Sequence, residues 1–254
     1  MKTRLLTASL IGALSLAGTA APAFADGEEA GSPFSGTLTL TSDYRFRGVS
    51  QTDSSVALQG SIDYAHSSGF FVGAWASNID FNDEATYDSA IEVDLYAGFT
   101  FALSDSTEAT IKGVYYWYPD ADTPPLFPDY DYFEVIGSLS HNFGKATATI
   151  EVAYSPDFFL EVGDAFAVTG GLAVPLCDKL WFFDGGLEGS GHLGYQSFDD
   201  TGLEDYTYWD LGLTASAGIF ALDVRYVDTD VDDAVCTDIC DSTVVVSGIL
   251  SFGG

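Results

Sequence analysis

Between Ile91 and Phe101 every second residue is apolar: Ile91, Val93, Leu95, Ala97, Phe99 and Phe101 alternate with a row that includes Glu92, Asp94, Tyr96 and Thr100. Strand side chains point alternately to opposite faces, so this segment predicts a strand with one oily face and one wet face. The period recurs along the chain. Leu38, Leu40, Tyr44 and Phe46 oppose Thr37, Thr39, Asp43 and Arg45, and Val56, Leu58, Ile62 and Tyr64 oppose Gln59, Ser61 and Asp63. Phe220, Leu222, Val224 and Tyr226 oppose Asp223 and Arg225, and Val244, Val246, Leu250 and Phe252 oppose Ser247 and Ser251. Strands are predicted over 36–47, 55–65, 69–78, 89–101, 107–118, 131–143, 146–154, 165–175, 187–196, 206–216, 219–227 and 243–252. Segments 69–78 and 165–175 are apolar on both faces, so the period alone does not orient them.

Most of these segments are close to the roughly 9–11 residues with which a tilted strand crosses a bilayer. The connections fall into two alternating kinds. Short ones lie at 66–68, 103–106, 144–145 and 217–218; long ones at 48–54, 79–88, 119–130, 155–164, 197–205 and 228–242. One stretched connection, 176–186, interrupts the pattern, and Trp181, Phe182 and Phe183 in it extend a strand on this reading. Short periplasmic turns and long outer loops characterise outer-membrane barrels. The expected fold is therefore all-β, a transmembrane up-and-down antiparallel β-barrel of about twelve strands with both termini on the periplasmic side.

The placement of charge separates this expectation from a soluble β-sandwich, whose apolar rows face each other. The wet rows carry Arg45, Asp63, Glu92, Asp94, Lys112, Glu134, Glu151, Asp210, Asp223 and Arg225, the expected lining of a pore. In a dry core each unpaired charge would cost several kcal/mol; around water the cost is far smaller. The oily rows are nearly free of charge, as a lipid-facing surface must be when Arg or Lys at mid-bilayer costs about 2–4 kcal/mol. Aromatics such as Tyr44, Phe46, Tyr115, Trp117, Tyr154, Tyr195, Trp209 and Tyr226 fall near predicted strand ends, where interfacial girdles form.

The N-terminus adds a compartment. Lys2 and Arg4 precede an apolar stretch that ends at Ala23-Phe24-Ala25, which predicts a secretory signal peptide over 1–25. A short periplasmic segment over 26–34 and the barrel over 35–254 follow. The chain has 8 basic and 38 acidic residues, a net charge of −30, and the leader contains two of the basic residues and no acid. Such a chain repels nucleic acid and attracts cations. Its 47% hydrophobic and 15% aromatic content indicates an ordered protein despite the charge.

Candidate chemistry is sparse. His66, His141 and His192 sit in no metal-ligand or nucleophile motif, and no phosphate loop or nucleophile elbow is present, so no cofactor and no catalytic residue is expected. Ser190 and His192 share an inward row, which fits a polar lumen better than a lipid-acting barrel enzyme lacking an oxyanion motif. Asp228, Asp230 and Asp232 alternate like the first half of a calcium loop but lack its glycine and distal glutamate, so they are only weak metal candidates. The long loops are rich in carboxylates, from Asp80 to Asp241, which predicts weak, non-specific stabilisation by divalent cations. Cys236 and Cys240 share one outer loop in an oxidising compartment and are expected to form a disulfide; Cys177, at a predicted periplasmic turn, is out of their reach.

The run Ser42-Asp43-Tyr44-Arg45-Phe46-Arg47-Gly48-Val49-Ser50-Gln51-Thr52 resembles the opening signature of the TorF-type porins of proteobacteria. The likeness continues through Gly69 to Asn78, Tyr154 to Asp157 and Tyr226 to Asp230. It implies an outer-membrane β-barrel with a pore role. One departure is the C-terminus, where Phe252 is followed by Gly253 and Gly254 instead of ending the chain.

Together these readings predict a porin-like channel in the outer membrane of a Gram-negative bacterium, passing small hydrophilic solutes or ions by diffusion and preferring cations. The expected partners are outer-membrane lipid and lipopolysaccharide, the barrel-assembly machinery and the solutes themselves. Three alternatives stay open. The lumen is closed by inward Tyr96, Tyr116, Tyr118, Tyr132 and Tyr208 and the barrel is structural, adhesive or lipid-binding; the barrel acts on lipids; or the chain is a soluble periplasmic sandwich.

Overall fold

The computed structural model describes residues 32–81, 89–119, 121, 129–179, 185–199, 203–232, 236 and 238–254. Among these, twelve strands close into one antiparallel barrel: β1 (Phe34–Thr41), β4 (Ala57–Ala65), β5 (Phe70–Asn78), β6 (Ile91–Ser104), β7 (Thr107–Trp117), β8 (Tyr132–Asn142), β9 (Thr147–Ser155), β10 (Ala165–Cys177), β11 (Leu187–Phe198), β12 (Tyr206–Ala217), β13 (Phe220–Thr229) and β14 (Thr243–Gly253). Each strand pairs with its neighbours in sequence, and β1 closes the ring by pairing with β14 on one side and β4 on the other. Closure leaves no open edge in the ring. The remaining strands, β2 (Arg45–Phe46) and β3 (Val49–Ser50), pair only with each other.

Parity is kept all the way round. Leu40, Leu58, Leu95, Ile111, Leu139, Ile150, Leu172, Leu193, Leu211, Leu222 and Val244 point outward and are exposed. An exposed apolar belt of this extent is what lipid requires. The two-sheet sandwich is excluded by the single closed ring. Strands β5 and β10, apolar on both faces in the sequence, turn Phe71 and Trp75 and the small Ala165 and Ala167 inward.

The first expected strand, 36–47, is a correction. It leaves the wall at Thr41, and the chain turns into the barrel as the β2–β3 hairpin before β4 begins at Ala57. Tyr44, expected among the outward aromatics, is 5% exposed and packs edge-on against Trp75 at 5.3 Å, and Phe46 packs against Tyr116 at 5.9 Å. The period is the same for a wall strand and an inner hairpin; only the partner differs. The expected leader, Trp181 to Phe183, and loop acids such as Asp83, Glu84, Asp88, Asp122 and Asp233 lie outside the described residues.

Candidate functional site

The interior is the candidate site, and the hairpin dominates it. Arg47 and Gly48 form its two-residue tip with φ of 47° and 87°, the sign at both positions that a type I′ hairpin turn needs. The Arg47 guanidinium forks onto Glu134 of β8, with Nη1 to Oε1 and Nη2 to Oε2 both at 2.9 Å, and Nη1 also donates to Gln196 Oε1 of β11 at 2.8 Å. Gly48 lies so close to β12 and β13 that a Cβ there would stand 2.3 Å from Thr229 Cγ2 and 3.1 Å from Tyr208 Cβ. At the hairpin base, Tyr44 donates to Glu92 Oε1 of β6 at 3.1 Å, and Ser50 Oγ donates to Asp43 Oδ1 at 2.6 Å. These contacts reach β5, β6, β7, β8, β11, β12 and β13, so the hairpin stands inside the barrel.

Nine of the ten charged residues expected to line the interior lie on the inward face of wall strands. Arg45 is the exception: it sits on the hairpin, pairs with Asp43 at 2.5 Å and donates to the carbonyl of Ile239, tying the hairpin to the β13–β14 connection. Towards the long-loop end the interior is tight. Arg47, Glu92, Asp94, Tyr116, Glu134 and Gln196 are all at most 3% exposed, and Tyr96, Tyr118, Tyr132 and Tyr208 are buried with them. Tyr116 and Tyr132 stack with centroids 4.2 Å apart, and Tyr208 shares a 2.6 Å hydrogen bond with Thr169. Nearer mid-wall and the short-turn end Asp63, Lys112, Ser138, Thr149 and Glu151 are only partly buried, so the interior is less tightly filled there.

One wall carries a second network. Arg225 pairs with Asp210, donates through Nη2 to Asp223 Oδ2 at 3.1 Å and to Ser190 Oγ at 2.9 Å, while Thr214 Oγ1 donates to Asp223 Oδ2 at 2.7 Å. The His192 ring meets Asp210 through Nδ1 at 2.9 Å. Ser190 and His192 are thus engaged by Arg225 and Asp210, respectively, in a structural cluster. Charged groups held this way have satisfied partners.

Among the interior residues absent from the expected lining, four matter most. Arg47 and Gln196 anchor the hairpin, and Glu188 and Glu108 share the inward parity of Ser190 and Lys112. Their parity was available in the sequence for Glu108, Glu188 and Gln196; for Arg47 the only signal was the following glycine. The three weak metal candidates do not converge. Asp228 accepts from Tyr226 at 2.8 Å and Asp230 from the Thr207 amide at 2.6 Å, and no group of three acids, histidines or cysteines is placed to hold a metal among the described residues. Cys236 and Cys240 are joined in a disulfide with Cα atoms 5.7 Å apart, and Cys177, the last residue of β10, is a free thiol.

Residues 25–252 match the model of a family described as "Bacterial protein of unknown function (Gcw_chp)". No match was found among curated proteins. Among solved structures, the KdgM porin aligns over 86% of this chain and 99% of its own at 8% identity, with a TM-score of 0.54. The KdgM porin in complex with disordered oligogalacturonate aligns over 86% and 98%, also at 8% identity, with a TM-score of 0.53. At these identities the likeness shows a shared fold.

Proposed function

The chain belongs to the Gcw_chp family of bacterial proteins of unknown function, and from its barrel and its interior we propose that it is an outer-membrane channel for passive diffusion of small hydrophilic solutes or ions, with a preference for cations. The observation that carries this reading is the division of polarity across one wall: an apolar exterior around an interior whose short-turn half is charged and only partly buried. A protein folded to hide its core from water has no use for either feature. Carboxylates outnumber cationic groups on the inner wall, with Asp63, Glu92, Asp94, Glu134, Glu151, Asp210 and Asp223 against Lys112 and Arg225. Between low-dielectric walls such an excess favours cations. The polyanion named with one KdgM structure is the wrong charge for this lumen, so the solute class here differs.

The location follows from the same reading. The predicted leader delivers the chain to the periplasm, the barrel-assembly machinery inserts it, and lipid and lipopolysaccharide cover its belt in a Gram-negative outer membrane. The TorF-type resemblance of Ser42 to Thr52 supports the porin assignment. A second reading, a non-conducting structural, adhesive or lipid-binding barrel, is favoured by the tight long-loop half and its inward tyrosines. Liposome swelling with cationic, neutral and anionic solutes of equal size separates the two. Faster entry of the cationic solute supports the channel; impermeability to all three supports the second reading.

A further inference from the structure

The hairpin fills the lumen without belonging to the wall. β2 and β3 contribute two residue pairs to each other and none to the barrel, whose β1 and β4 pair directly from Phe34 with Tyr64 to Thr41 with Ala57. Displacing the hairpin therefore leaves every wall ladder intact. Its base is held by Tyr44 on Glu92, by Arg45 on the Ile239 carbonyl and by Phe46 against Tyr116, but the polar contacts that hold its tip are few. Arg47, a non-glycine residue in the left-handed region, carries a backbone cost of about 1–2 kcal/mol that its side-chain contacts must offset. Those contacts are the fork onto Glu134 and the bond to Gln196, while the buried Arg47 Nε has no acceptor among the described residues. A buried ion pair gains little over its separated, solvated partners, so such a tip is firmly placed yet cheap to release into water. Glu134 would not be abandoned on release. Lys112, on the neighbouring strand, already lies within electrostatic range of Glu134, Glu151 and Asp94.

We propose that the β2–β3 hairpin is a displaceable plug, latched by Arg47 onto Glu134 and Gln196, whose release opens the tight half of the lumen. The opened lumen conducts only if the channel reading above holds, whereas movement of the hairpin can be read independently of current. Ala167 gives that readout: it faces inward beside Gln196 in the β10–β11 register and is 3% exposed.

The experiment uses the full-length protein in lipid vesicles with Cys177→Ser and Ala167→Cys, and labels the new thiol with a membrane-impermeant maleimide. Labelling should be slow with Arg47 present, and faster by tenfold or more, one 1.4 kcal/mol step of the opening equilibrium, with Arg47→Ala; Glu134→Gln, which keeps the shape, should behave likewise and Arg47→Lys should fall between. An unchanged β-sheet circular dichroism spectrum shows that the barrel itself has formed. Equal protection of the thiol in all variants overturns the latch, as does equally fast labelling in all. In parallel bilayer recordings, Arg47→Ala should raise the open fraction several-fold. Labelling that rises without any current leaves the latch standing and removes the channel reading.

Discussion

Tyr195 donates its phenol hydrogen to Asp205 Oδ2 at 2.7 Å across the outward, long-loop rim of the barrel. Tyr115 with Asp131, Tyr154 with Asp164 and Tyr226 with Asp228 repeat the arrangement at 2.7, 3.2 and 2.8 Å. A tyrosine with its ring among apolar neighbours and its hydroxyl on a loop carboxylate marks the level where lipid gives way to water. The belt between that rim and the short turns should then tolerate no charge. Ile111→Arg, at an outward position in the middle of the wall, is expected to destabilise the barrel by about 2–4 kcal/mol. Leu203→Arg, in a loop above the rim, should change stability by less than about 0.5 kcal/mol. Denaturant unfolding from lipid vesicles measures both, and equal effects would remove the membrane placement.

The Arg225 cluster makes a different demand. Asp210 and Asp223 are both buried beside it, so Arg225→Ala strands two carboxylates without their cation. Removing one partner of a buried pair costs about 3–5 kcal/mol, and the lower end applies where the lumen admits water. Arg225→Lys should recover only part of this, because a point charge cannot fork between two acids. The unfolding midpoint of each variant checks the order.

Gly194 and Tyr208 are coupled sterically. A Cβ on Gly194 would lie 2.1 Å from Tyr208 Cζ, so Gly194→Ala must push the ring off its bond to Thr169. Overpacking of this kind costs about 1–3 kcal/mol. Tyr208→Ser should remove most of that penalty, and a double-mutant cycle is expected to show clear non-additivity, whereas additive effects would mean that the ring is not seated over the glycine.

What the sequence disclosed follows from what a two-residue period can encode. Ile91 to Phe101 was readable because its face pattern, length and flanking connections agreed, and the same holds for β13 and β14. Tyr96, Tyr116, Tyr118, Tyr132 and Tyr208 share the parity of nearby inward carboxylates, so their direction was legible while their mutual packing was not. Ser42 to Thr52 misled for a physical reason. Tyr44 and Phe46 alternate with Arg45 and Arg47 as a wall strand would, and alternation specifies extended backbone without specifying the sheet that receives it. The aromatic face packs on Trp75 and Tyr116 instead of on lipid. Only Gly48, supplying the second left-handed residue of a tight turn, separated the two outcomes.

The most direct test of a charged, water-lined lumen is the reversal potential of single-channel current across a potassium chloride gradient, recorded for the wild-type protein and for Arg47→Ala. The account predicts resolved steps, more frequent in the variant, with a reversal potential of the cation-selective sign in both. An anion-selective sign, or silence from both proteins, would contradict it.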